Sequence, residues 1–89
     1  MNKKKLKKTI HVKEYHLVIA MVRELREQKH LTQKELAEKI GSDQTFISKI
    51  EIGERRLDII ELKYICDALE IELTEFVKQL ELKIMNKTK

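Results

Sequence analysis

The sequence predicts an all-α fold, a single bundle of about five helices, and three observations carry that expectation. Apolar residues recur at spacings of three and four rather than alternating. Proline is absent and the two glycines stand at positions 41 and 53, so nothing divides the 89 residues into separate units. Thr32 with Glu35, and Asp58 with Glu61, each form the pattern in which a helix start satisfies its own free N–H groups. A chain of this length buries only a modest core.

The first ten residues carry Lys3, Lys4, Lys5, Lys7 and Lys8 and no acid. Residues 1–10 read as a basic, flexible arm and residues 11–86 as the folded domain. Helix 1 is expected to begin between Thr9 and Lys13 and to run to Lys29, with Val18, Met21, Val22 and Leu25 on its buried side. Its apolar run from Leu17 to Val22 ends at Arg23 and is too short for a signal-peptide core or a membrane span. The lone Cys66 permits no internal disulfide and falls among Leu62, Ile65 and Leu69 at helical spacing, which reads as core packing. A cytoplasmic chain with no membrane partner is the expectation.

Helix 2 opens at Thr32, whose hydroxyl can cap it, and Leu36, Ala37 and Ile40 share one face. Gly41 can take the positive φ that stops a helix, and Ser42 is placed to cap helix 3 directly afterwards. In helix 3, Ile47 and Ile50 point inward, leaving Asp43, Gln44, Thr45, Ser48 and Lys49 on the opposite face. A solvated face in an ordinary helical hairpin more often carries Glu and Lys pairs. Amide, hydroxyl and ammonium groups instead match base edges and phosphates in a major groove. Gly53 closes the helix.

Helix 4 starts at an Asp58 cap and continues to Leu69. Thr74 can cap helix 5, whose Phe76, Val77, Leu80 and Ile84 continue a buried stripe. Leu82 and Met85 lie off that stripe, and burying them against a second copy would recover roughly 25 cal/mol per Å².

The net charge of +4 is unevenly spread. Residues 1–8 hold five positive charges, residues 9–56 hold nine basic and eight acidic side chains, and residues 57–82 hold seven acids against Lys63 and Lys78. The C-terminal half should therefore face away from phosphate, and the lysine arm can add sequence-independent affinity or serve as a solubilising tail.

The stretches L-R-E-Q-K-H-L-T-Q-K-E-L-A-E-K-I-G, F-I-S-K-I-E-I-G and L-K-Y-I-C-D-A-L-E-I resemble the lambda-repressor-like helix-turn-helix family, which includes phage repressors, restriction-modification controller proteins and antitoxins. The resemblance spans about Val18 to Val77. It implies a double-stranded DNA partner, with Gln44, Thr45, Ser48 and Lys49 as base contacts. Gln suits adenine, Lys suits guanine, and Thr can touch a thymine methyl. It implies backbone contacts from Thr32, Gln33, Asp43, Phe46, Arg55 and Arg56, and a structural ion pair between Arg26 and Glu51. Two positions depart from the family pattern. His30 replaces a common glycine and should sit at positive φ at a cost of about 1 kcal/mol. Leu57 replaces the proline common after helix 3.

No nucleophile–base pair, metal set or phosphate cradle marks an enzyme, and no cofactor is implied. His11, His16 and His30 lack ligand spacing with each other and with Cys66. The remaining contest is between a transcriptional regulator and an antitoxin or protein-interaction module on the same scaffold. Only the arm and the last few residues lie outside the bundle to cover a toxin, which favours the regulator. One short recognition helix reads few base pairs, so a homodimer is expected on a near-palindromic operator, with Leu80, Leu82 and Met85 and the front of helix 1 as its contact.

Overall fold

The computed structural model describes residues 13–87, which form five helices: α1 (Lys13–Gln28), α2 (Gln33–Lys39), α3 (Gln44–Glu51), α4 (Ile59–Ala68) and α5 (Leu73–Lys87). The lysine arm lies outside the described residues. Among the described residues no strand occurs, and no helix is long and apolar enough to cross a membrane.

All five helices meet on one core. Val22 of α1, Leu36 of α2, Ile47 and Ile50 of α3, Ile65 and Cys66 of α4 with Leu69 at its end, and Phe76 of α5 are each almost wholly removed from water. Burial pushes the Cys66 thiol up to about 11, so it packs as an inert apolar group. α2 packs chiefly on α3, while α1 runs beneath both α3 and α5. The helical spacing in α1 is phased one step from the expected stripe. Tyr15, Ile19, Val22 and Arg26 form the buried line together with Met21, whereas Val18 and Leu25 are only half-buried against the cluster.

The two expected capping boxes form. The Thr32 hydroxyl accepts from the Glu35 N–H at 3.0 Å while the Thr32 N–H donates to the Glu35 carboxylate at 2.8 Å. Asp58 and Glu61 repeat the arrangement at α4. Two cap assignments are corrected. Asp43, not Ser42, caps α3, its carboxylate accepting from the Phe46 N–H at 2.9 Å. Ser42 is needed one step earlier, where its N–H closes the end of α2 on the Ala37 carbonyl at 2.9 Å. Thr74 lies inside α5, which already begins at Leu73.

Four helices end in the same way. After α1, α2, α3 and α4 the chain turns through a residue at positive φ, namely His30 (58°), Gly41 (72°), Gly53 (81°) and Glu70 (61°). Behind each, paired N–H groups return to the last turn: His30 to Glu27 and Leu31 to Arg26, Gly41 to Glu38 and Ser42 to Ala37, Gly53 to Ile50 and Glu54 to Lys49, Glu70 to Asp67 and Ile71 to Cys66. This is the Schellman closure, which satisfies carbonyls a helix end would otherwise leave open. The expected positive φ at His30 is present. Glu70 is a second such site, and its exposed carboxylate pairs with Lys29 at 2.6 Å.

On α5, Phe76 is buried and Leu80 and Ile84 are half-buried, but Val77 is 43% exposed and leaves the expected stripe. It stands about 100° around the helix from Phe76, far enough to reach the outer face. Leu82 and Met85 are exposed as expected.

Candidate nucleic-acid interface

The outward face of α3 presents Gln44, Thr45 and Lys49 to solvent, with Ser48 half-buried beside them. Its inward residues, Ile47 and Ile50, have no exposed surface, so the helix cannot roll without opening the core.

A polar relay fixes this face from behind. Arg26 and Glu51 are both buried, and the guanidinium grips the carboxylate with two bonds, Nε to Oε2 at 2.6 Å and Nη2 to Oε1 at 3.0 Å. The third nitrogen of Arg26 donates to the Leu31 carbonyl at 2.7 Å. This forked pairing holds the guanidinium charged, its proton affinity raised first by the Glu51 hydrogen bond. Glu51 Oε1 also accepts from the Gln33 amide at 3.0 Å, and the Gln33 carbonyl oxygen accepts from the Gln44 amide at 3.4 Å. The ion pair expected between α1 and α3 is therefore the buried root of a chain that ends on Gln44. No buried side-chain polar atom among the described residues lacks a partner.

Several residues expected at the DNA backbone already have work inside the protein. Thr32 and Asp43 cap α2 and α3 with their side-chain oxygens. Gln33 joins Glu51 to Gln44. Arg55 donates to both Glu61 oxygens, at 3.0 and 2.8 Å, and to the Arg56 carbonyl at 3.0 Å, while its guanidinium lies 4.5 Å from the centre of the half-buried Phe46 ring. Both arginines expected at the DNA backbone lie in the loop after α3, and Arg55 is also paired within the protein. Arg55 stitches α3 to the cap of α4 with its side chain still 41% exposed, and Arg56 stands exposed beside it.

Glu61 and Tyr15 also belong to this region, although the family pattern does not point to either. The Glu61 carboxyl is held below its ordinary range, first by Arg55 and then by the Asp58 N–H. The Tyr15 hydroxyl donates to the Arg55 carbonyl at 3.1 Å and accepts from the Leu57 N–H at 2.8 Å, and burial raises the phenol above its ordinary value. The signal for Tyr15 in the sequence is its helical spacing with Ile19, Val22 and Arg26.

The helix-turn-helix family model matches residues 22–76. The wild-type restriction-modification controller protein C.Esp1396I superposes with a TM-score of 0.78 and 32% identity, over 85% of this chain and 99% of that one. The same controller protein, as a tetramer in complex with its natural 35 base-pair operator, gives a TM-score of 0.77 at 32% identity, over 84% of this chain and 99% of that one. An XRE-family like protein from Pseudomonas syringae pv. tomato str. DC3000 gives 0.79 at 37% identity, over 89% of this chain and 96% of that one. No curated protein matches the chain. The chain belongs to the lambda-repressor-like helix-turn-helix family, a fold of DNA-binding transcriptional regulators.

Proposed function

We propose that this protein is a cytoplasmic, homodimeric transcriptional regulator that lays α3 in the major groove of a near-palindromic operator and acts by binding rather than by catalysis. The observation that carries this reading is the relay from Arg26 through Glu51 and Gln33 to Gln44, which leaves a reading side chain oriented before DNA arrives. Ordering a flexible glutamine on binding would cost about 0.5–1.5 kcal/mol, and the relay removes part of that cost. Gln44 can meet adenine, Lys49 guanine and Thr45 a thymine methyl, with Ser48 at their edge. Arg56 meets the phosphate backbone, while Phe46 and Arg55 shape the surface beside it.

The complex of C.Esp1396I with its operator supports the DNA-binding reading, since that protein shares the fold along nearly its whole length. A controller-type role, in which the dimer governs its own promoter by blocking or contacting polymerase, follows from the same likeness. Selection of bound fragments from a random DNA pool by the purified protein tests the proposal. The expected product is a site with two related half-sites about 34 Å apart, centre to centre. A pool that stays unenriched would contradict sequence-specific binding.

A further inference from the structure

We infer that Tyr15 is a positioning residue for DNA binding, acting through the backbone of the loop that carries Arg56. Its hydroxyl touches the chain on either side of that arginine, donating to the Arg55 carbonyl at 3.1 Å and accepting from the Leu57 N–H at 2.8 Å. Arg56 sits inside this bracket, and its side chain is exposed.

The rest of the loop is tied to its flanking helices. The Glu54 and Arg55 N–H groups both return to the Lys49 carbonyl of α3, and the Asp58 N–H meets Glu61 of α4. The Leu57 N–H is held instead from α1, which reaches across to it. α1 also underlies the loop start, where the end of the Ile19 side chain lies 3.6 Å from the position a Cβ on Gly53 would take. With its ring buried in the core, Tyr15 offers the loop two hydrogen-bonding partners anchored on α1. A cation on a backbone fixed in advance meets a phosphate without first ordering the loop.

This inference rests on Arg56 meeting a phosphate, and a double-mutant cycle separates the two claims. Tyr15→Phe keeps the ring and its packing and removes only the bridge. On the selected operator, Arg56→Ala should flatten the dependence of log affinity on log salt by about one unit for each phosphate that Arg56 neutralises in the wild type. Tyr15→Phe should flatten it in the same direction by a smaller amount, and in the Arg56→Ala background it should add nothing. A Tyr15→Phe slope equal to wild type, or one that flattens equally in both backgrounds, would overturn the positioning role. An unchanged slope in Arg56→Ala alone would instead show that Arg56 meets no phosphate, and the inference would fall with its premise. A measurement without any variant checks the bracket itself. The Leu57 amide of the wild-type protein should resist hydrogen exchange, and exchange there at the open-chain rate would show that the bridge does not hold.

Discussion

At the scale of single residues, the Arg26–Glu51 pair ties the outer face of α3 to the folded core. Both groups have left water, with side chains only 10% and 2% exposed, so each depends on the other for its solvation. Replacing either one alone by alanine should destabilise the fold by about 3–5 kcal/mol, because the survivor becomes an uncompensated buried charge. Thermal or urea melts of the two single variants check this, and two neutral results would show that water reaches the pair. The pairing is legible in the sequence only through the family pattern, since nothing in spacing or composition brings positions 26 and 51 together. Its extension to Gln33 and Gln44 is not legible there, because side-chain relays depend on distances that only the packed helices set. Glu61 offers a test against pH. Its carboxyl is depressed by Arg55 and by the Asp58 N–H, so its contribution is present above the open-chain value of about 4.3 and is lost as pH falls through the lower folded value. As pH falls from the open-chain value through the lower folded one, the wild type should lose more stability than Glu61→Gln. Superimposable acid melts of the two proteins would show that the Arg55–Glu61 pairing is not maintained in solution.

At the scale of elements, helix ends rather than helix interiors determine how this chain turns. Four helices close through a residue at positive φ, and only two of the four sites hold glycine. A Cβ at Gly41 would meet nothing within 4 Å, so Gly41→Ala isolates the conformational cost, expected to be about 1 kcal/mol or slightly more. His30→Gly is the converse change and should stabilise the fold by up to about 1 kcal/mol, less what the freer unfolded chain recovers. Equal melting temperatures for wild type and both variants would mean that neither turn holds its left-handed geometry. The capping boxes at Thr32 and Asp58 are plain in the sequence because they are local, each within three residues. Ser42 and Asp43 both suit a cap, and the choice between them depends on where α2 ends, which is a property of the whole turn. Val77 departs from its expected burial because it lies about 100° around α5 from the buried Phe76, beyond the stripe that faces α1 and α4.

At the scale of the whole molecule, the proposed function asks one face to read DNA and another to bring a second copy. Val77, Leu82 and Met85 of α5 remain exposed, and so do Ile59, Ile60 and Tyr64 of α4. The α5 set lies on the long terminal helix, where Lys78 and Lys83 can offset neighbouring acids, and an apolar centre with a charged rim suits a dimer interface. Changing Leu82 and Met85 together to lysine should give a folded monomer that binds its operator weakly and without cooperativity. Sedimentation as an unaltered dimer would place the interface elsewhere, on the front of α1 or on the exposed Ile59, Ile60 and Tyr64 of α4. The central claim, that the outer face of α3 reads sequence, is tested most directly by the affinities of Gln44→Ala and Lys49→Ala for the selected operator and for random DNA. Each variant should lose about 1–3 kcal/mol on the operator and little on random DNA, whereas equal losses on the two DNAs would contradict base reading by this face.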